Sequence, residues 1–165
     1  MLKEKLSKYD VVLASQSPRR IKFFNDLKIN FKSIKIDVDE SYSNKLKAEE
    51  ITDFLAEKKA SFYSNIIKKN TVVITSDTIV WIKDKALGKP KNNKNAKEIL
   101  RILSDNTHKV ITSFCIKTID KKIIVNDTTK VSFKKLTEQE IDYYVDNNNV
   151  LDKAGAYGIQ DWIGY

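Results

Sequence analysis

The chain has 165 residues, 41% hydrophobic and 32% charged, and one cysteine, Cys115, which excludes an intramolecular disulfide. That length suits a single soluble domain that buries a core without disulfides or structural metals. The formal net charge is +8, but all except three of the 30 cationic residues are lysines, scattered from Lys3 to Lys153. This pattern lacks a compact arginine and aromatic stripe, so it disfavours nucleic acid as the main partner and suits a small polyanion.

Residues 10–15 (DVVLAS) are apolar and β-branched and predict a buried strand. Ser17 then Pro18 predicts a helix start, with serine as N-cap and proline at the first helical position. The helix "PRRIKFFNDLKI" sets Ile21, Phe24 and Leu27 on one face. Residues 31–37 alternate and predict a second strand, followed by the polar connection "DVDESYSNK". Residues 47–65 predict a long helix with Ile51, Phe54, Leu55 and Phe62 on one side. Residues 71–77 (TVVITSD) predict another buried strand, and "TIVWIKDKALGKP" a hairpin turning near Lys83-Asp84. Residues 94–104 are helical by period. The runs 108–119 and 122–133 predict a β-hairpin turning near Asp120-Lys121. "LTEQEIDYYV" carries a capping box, Thr137 and Glu140, at the start of a helix. The segment "DKAGAYGIQDWIGY" holds three of the four glycines. Strands and helices alternate early and a hairpin comes late, which implies an α/β architecture around a mixed, twisted sheet. No apolar run reaches the length of a membrane span, and no charged segment leads into one, so the expected location is the cytoplasm.

Polar residues that interrupt this pattern gather at strand ends, where ligands bind in open α/β sheets. In "SQSPRR" a strand passes through a short turn into a helix N-terminus, whose N–H groups and dipole favour an anion. Ser15 and Ser17 add hydroxyls, and Arg19 and Arg20 add forked donors that match phosphate. In a chain whose default cation is lysine, paired arginines suggest a need for that geometry. Asp77 follows an apolar strand and could hold a divalent metal or activate water, and Thr78 beside it could donate to a phosphate or base edge. Gly88-Lys89-Pro90 forms a rigid turn presenting a lysine. Asp37, Asp39 and Glu40 offer hard oxygen ligands suited to magnesium or manganese. Gly155 and Gly158 permit close backbone approach, and the Gln160 amide suits reading a base edge. Each has a plain structural reading as well: a capped helix, a strand-ending turn, a solvated loop, a flexible tail. His108 is read as structural or exposed and Cys115 as core. The absence of a Cys/His cluster argues against zinc, and that of a Walker-type loop against a P-loop nucleotidase.

The motifs "LASQSPRR", "LAEKKA", "SDTIV", "GKP", "LTEQEI" and "DKAGAYGIQ" occur in the order and approximate spacing of the Maf family, which the chain resembles from Val11 to Gln160. That family comprises nucleoside triphosphate pyrophosphatases, also described as septum-formation inhibitor homologues. The resemblance implies a mixed sheet flanked by helices, with two lobes around a central cleft, similar to inosine triphosphate pyrophosphatases. It implies hydrolysis of the α–β anhydride to a nucleoside monophosphate and pyrophosphate, with a divalent cation, magnesium or manganese. Ser15, Arg19 and Arg20 match the phosphate-binding turn, Glu40 the acidic "DE" loop, Lys59 the lysine of "LAxxKA", Asp77 the catalytic acid/base and Lys89 the lysine of "GKP". Glu40 and Asp77 are the implied metal ligands. The family branch acting on dTTP and UTP carries "SPRR", "DT" and "YGIQ", and Arg20, Thr78 and Gln160 match it at all three places. The other branch, acting on 7-methylguanosine triphosphate, carries "SPWR" or "SPYR", "DQ" and "SEG". Family members continue beyond the position of Tyr165 with a "GSYxNVxGLP" strand and a final helix, so residues 1–165 are expected to form one Maf-like domain without those elements. Homodimerisation is a family expectation.

Residues and resemblance together lead to a reaction in which the triphosphate lies over the Ser15–Arg20 turn with Lys59 and Lys89 closing on it. Asp77 activates water there, and Thr78 and Gln160 orient a pyrimidine. Two other readings stand beside it: a regulatory cell-division or nucleic-acid-binding protein with a vestigial or sensory cleft, and a broad housecleaning pyrophosphatase for modified nucleotides.

Overall fold

The computed structural model describes residues 2–35 and 37–164, apart from the side chain of Ile66. A short helix absent from the sequence reading, α1 (Leu2–Leu6), precedes β1 (Asp10–Leu13), whose Val11 and Leu13 are buried. The helix α2 (Pro18–Asp26) starts where Ser17-Pro18 places it. Ser17 is its N-cap by position, but its side chain makes no capping bond; its N–H instead donates to Ser15 Oγ at 3.2 Å. Phe24 is buried on this helix, while Leu27 falls past its end and is exposed. Of the predicted strand 31–37, whose Ile36 lies outside the described residues, β2 comprises Lys32–Ser33, and Ile34 N–H still bonds Leu13 C=O at 3.0 Å.

Helix α3 (Glu49–Phe62) buries Ile51, Thr52, Leu55, Ala56, Lys59 and Ala60 as one stripe. Phe54 lies beside that stripe and Phe62 is the last helical residue, so both are exposed rather than buried with it. The strand β3 spans Thr71–Ile82 without a break, so Asp77 lies inside a strand and not at its end. It turns through Lys83 and Asp84, both with left-handed φ (48° and 58°), into β4 (Lys85–Leu87). Then follow α4 (Asn93–Leu103), β5 (Thr107–Lys117), β6 (Lys122–Ser132) and α5 (Glu138–Asn147). The α5 capping box forms as expected: Thr137 Oγ1 accepts from Glu140 N–H, and the Glu140 carboxylate accepts from Thr137 N–H. Short 3-10 turns occupy Ser64–Ile66, Ala154–Ala156 and Trp162–Gly164.

The sheet order is β2-β1-β3-β5-β6, with β4 antiparallel on β3. β1 runs parallel to both its neighbours, in a register that sets Val11 opposite Val72 and Leu13 opposite Ile74. The architecture is thus the expected mixed α/β sheet with helices. No helix among the described residues is long and apolar enough to cross a membrane.

The chain packs as two compact units. The first runs to Asp77 and includes Thr112–Asn126; the second comprises Thr78–Ile111 and the residues from Asp127 onward. The first is built around Val11, Leu13, Phe24, Ile29, Val72 and Ile74, with Cys115 buried against Ala56 and Ala60. The second packs Val80 and Ile82 against α4 (Ala96, Ile99, Leu100, Leu103) and α5 (Ile141, Tyr144, Val145). His108 is buried within it, its Nε2 2.6 Å from the Tyr157 hydroxyl and its ring edge-on to Phe133.

The segment around Gly155 is packed, not a free tail. Gly155 N–H donates to Gly88 C=O at 3.0 Å, and its φ of 70° is left-handed. A Cβ there would stand 2.5 Å from Val80 Cγ2. Gly155→Ala combines a disfavoured backbone with a clash against a fully buried valine, and is expected to cost about 3 kcal/mol, read as a lower urea midpoint at unchanged slope.

Candidate functional site

The site residues of the first unit come from four successive pieces of chain. Where β1 ends, Ala14 N–H bonds Ile74 C=O at 2.9 Å, so the chain remains on the sheet to the start of the turn. Ser15, 7% exposed, then fixes the turn twice: its Oγ accepts from Ser17 N–H, and its C=O accepts from Ser33 Oγ at 2.7 Å. The first turn of α2 follows, a helix N-terminus of the kind whose dipole favours an anion. Arg19 and Arg20 belong to that turn. Arg19 is exposed. Arg20 bends inward and donates from Nη1 to Ser76 C=O at 2.8 Å. Burial lowers the Arg20 pKa from its ordinary value, the Asp77 carboxylate opposes that shift, and the Arg19 charge adds to it.

Asp77 is 8% exposed in the middle of β3. A buried carboxylate is tolerated only when paired and hydrogen-bonded. Its partner is Lys59 of α3, 7% exposed, whose ammonium donates to Asp77 Oδ1 and also pairs with Glu40 Oε1 at 2.8 Å. Thr75 Oγ1 donates to Ala56 C=O at 2.6 Å and ties β3 to α3 beside this pair. Burial raises the Asp77 pKa above the usual carboxylate range; the Lys59 ammonium and Arg20 pull it back, and Glu40 pushes it further up. Glu40 itself is mostly exposed, in the loop after β2. Asp39 of the same loop is held by Ser41 N–H at 3.0 Å and by Lys58 at 3.3 Å, and Lys58 also reaches Ser41 C=O.

The first unit therefore brings Arg20, Asp77, Lys59 and Glu40 into one charge array, with the Ser15 turn at the foot of Arg20. The remaining predicted residues belong to the second unit. Thr78 is half-buried on β3, one residue beyond Asp77. Lys89 is exposed in the turn that the Gly155–Gly88 bond anchors. Gln160 is exposed, next to Asp161, which accepts from Lys153 Nζ at 2.6 Å and from the Tyr144 hydroxyl. Thr75, Ser76 and Lys58 were not singled out from sequence. Lys59 had a residue-level signal: it falls in phase with Ile51, Thr52, Leu55 and Ala56, the buried stripe of its helix.

Among the described residues, no group of three or more acidic, histidine or cysteine side chains is placed to hold a metal ion. Glu40 and Asp77 nevertheless converge on a single cation, the Lys59 ammonium, and supply hard oxygen donors. Two carboxylates fit a magnesium-like ion, which takes its other ligands from waters and phosphate oxygens.

A family model described as Maf-like protein matches residues 10–165. A curated dTTP/UTP pyrophosphatase of Flavobacterium johnsoniae is 52% identical over 165 residues, covering 100% of this chain and 85% of the relative. A dTTP/UTP pyrophosphatase of Christiangramia forsetii is 49% identical over 164 residues, covering 99% and 84%. Among solved structures, the Staphylococcus aureus Ham1 protein superposes with a TM-score of 0.55 at 18% identity, over 75% of this chain and 71% of that one, a likeness of fold.

The Lys59–Asp77 pair generates a prediction that needs no substrate. Lys59→Met leaves the buried carboxyl without its countercharge, so the Asp77 pKa rises further, followed by carbon NMR of the carboxyl. A carboxyl with a raised folded pKa binds protons more tightly when folded. The variant is therefore most stable below the unfolded value of about 3.9 and loses stability as pH rises through the folded value, by about 3 kcal/mol once that value is passed.

Proposed function

Because the chain belongs to the Maf family, we propose that it is a nucleoside triphosphate pyrophosphatase that converts dTTP and UTP to the nucleoside monophosphate and pyrophosphate. The observation that carries this reading is the Asp77 carboxylate, buried inside β3 and held between Lys59 and the Arg20 anchor beside a helix N-terminus. That placement supplies a base and an anion site together. The names of the relatives, and the match of Arg20, Thr78 and Gln160 to one family branch, support the pyrimidine substrates.

In this reading the phosphates lie on the N–H groups of the first turn of α2, with the Arg19 guanidinium as forked donor. Arg20, tied to Ser76, keeps a permanent positive charge close to Asp77. Asp77 takes a proton from a water whose oxygen forms the new bond to the α-phosphorus. The bond from that phosphorus to the bridging oxygen breaks, and pyrophosphate leaves with the electron pair. A raised pKa makes Asp77 a stronger base than an ordinary carboxylate. Lys59 holds the Asp77 oxygen in place and offsets negative charge around the phosphates. Glu40 and Asp77 would hold the divalent cation, magnesium or manganese, which supplies neutralisation of charge on phosphate oxygens. Lys89 as a phosphate contact, and Thr78 and Gln160 as base contacts, rest on the resemblance alone.

The test is product analysis by ion exchange after incubation with dTTP, UTP, GTP and 7-methylguanosine triphosphate, with magnesium or manganese. Monophosphate and pyrophosphate from dTTP and UTP, with little from the other two, are expected. Even turnover of all four would replace the pyrimidine assignment by a broad specificity. Asp77→Asn is expected to lower kcat by about 10²–10⁴ while dTTP binding persists in equilibrium dialysis; retained turnover would remove Asp77 as the base.

A further inference from the structure

The second unit contains a cavity of about 290 Å³ that uses none of the residues assigned to turnover. It lies where the β3–β4 turn meets the start of β5 and the far half of β6, and its walls are basic. Thr107 and Ser132 face each other through their hydroxyls at 2.8 Å, and Phe133 N–H bonds Asn106 C=O at 3.0 Å. One two-residue step along this antiparallel ladder brings Lys109 of β5 opposite Lys130 of β6, and both line the cavity. Like charges directly opposite on a sheet are destabilising. Lys83 lines it as well, from a left-handed turn position that asparagine or glycine would occupy at less strain. Among the described residues, none of these three lysines has a carboxylate within ion-pairing distance.

Other groups in the wall limit what fits there. The Trp81 indole is half-exposed on β3 and offers a flat apolar face. Thr107 and Asp84 add a hydroxyl and a carboxylate. His108, 2% exposed, is part of the same wall, and its Nδ1 is buried without a hydrogen-bond partner among the described residues. Three lysines lining one small space call for a multiply charged anion, and phosphate carries more charge than a single carboxylate. An exposed indole beside them calls for a planar ring. The volume is at the small end of ligand sites, which suits one nucleotide rather than a strand.

We propose that this cavity is a second nucleotide site, taking a free nucleoside monophosphate with its base against Trp81 and its phosphate among Lys83, Lys109 and Lys130. The Thr107 hydroxyl and the Asp84 carboxylate then face the sugar and base. The site retains a like-charge pair and a strained lysine, each of which lowers stability, because both serve the anion.

Trp81 reports its own occupancy once Trp162→Phe removes the other indole. Titration of that chain with dTMP is expected to quench Trp81 to saturation. Adding Lys130→Glu should weaken dTMP at least about tenfold, as loss of a charge-assisted contact does. The same change should raise the urea midpoint, since a glutamate opposite Lys109 turns repulsion into attraction, and should leave dTTP turnover unchanged. Lys109→Gln should weaken dTMP without a gained ion pair, which separates loss of the anion site from any effect of the new carboxylate. Unchanged Trp81 fluorescence, or undiminished dTMP binding in both lysine variants, would overturn the proposal. Inorganic phosphate binding as tightly as dTMP would overturn the role of the base. A short oligothymidylate binding more tightly than dTMP, with steep salt dependence, would overturn the free nucleotide as occupant. Turnover is measured separately, so loss of the pyrophosphatase reading would leave this test intact.

Discussion

A carboxylate in the middle of a buried strand is the constraint on which the first unit depends. Asp77 is withdrawn from water, buried in the middle of β3. It needs a cation delivered from another element, and α3 delivers Lys59. That demand fixes the face α3 presents. Thr52, Ala56, Lys59 and Ala60 are all buried, and the small Ala56 and Ala60 let the helix approach β3 closely enough for Thr75 to bond Ala56 C=O. It also explains why Arg20 bends inward to Ser76 C=O. The helix that follows β1 is thereby tied to the strand that carries the acid. Breaking one member leaves a charge buried without its complement, which costs far more than a surface ion pair is worth.

Much of this architecture was legible in the sequence, for identifiable reasons. Ser17-Pro18 placed the start of α2, Lys83-Asp84 the first hairpin turn, and Thr137 with Glu140 the start of α5, because each is a local signal carried by a few residues. What stayed hidden depended on partners distant in the chain. "SDT" looked like a strand end because polar residues seldom run through a buried strand. It continues because Arg20 and Lys59, far apart in sequence, satisfy Ser76 C=O and Asp77. Residues 31–37 alternate well, yet among the described residues of that run only Lys32–Ser33 form a strand. Phe54 and Phe62 looked like core by type, but the buried stripe of α3 follows Ile51, Leu55 and Lys59. The array around Asp77 was assembled from the resemblance, since composition and spacing cannot show that a helix at Lys59 and a strand at Asp77 meet.

The second unit handles polar burial differently. Its residues 154–164 include two short 3-10 turns, and side chains from α5 and β5 hold this segment. Tyr144 donates to Asp161 and accepts from Gly158 N–H, and Lys153 joins the same carboxylate. Burial alone would raise Asp161; the bonds from Lys153 and Tyr144 outweigh it and leave the carboxyl below its ordinary value. His108 and Tyr157 share one hydrogen bond in an aromatic cluster, where burial lowers the histidine pKa and pushes the phenol up to about 12. Both groups are thus neutral near neutral pH, which is the form a buried pair tolerates. The glycine-rich segment that looked like a tail is ordered by these contacts, and the exposed Gln160 is carried on it.

The distribution of arginine follows from the same physics. A chain that uses lysine almost everywhere keeps guanidinium for three positions. Arg101 engages both Glu138 oxygens, with Nε at 2.9 and 3.0 Å and Nη2 at 2.6 Å, a fork that an ammonium cannot copy. Arg20 is largely withdrawn from water and bonded to a carbonyl. Lysine there could escape the cost of burial by giving up its proton, whereas guanidinium keeps its charge. Arg19 is exposed at the first turn of α2, at the positive end of the helix dipole. The adjacent arginines are therefore not interchangeable: Arg20 turns inward to Ser76 C=O and holds a positive charge beside Asp77, while Arg19 is exposed one residue earlier, where a lysine would offer a point charge in place of a fork.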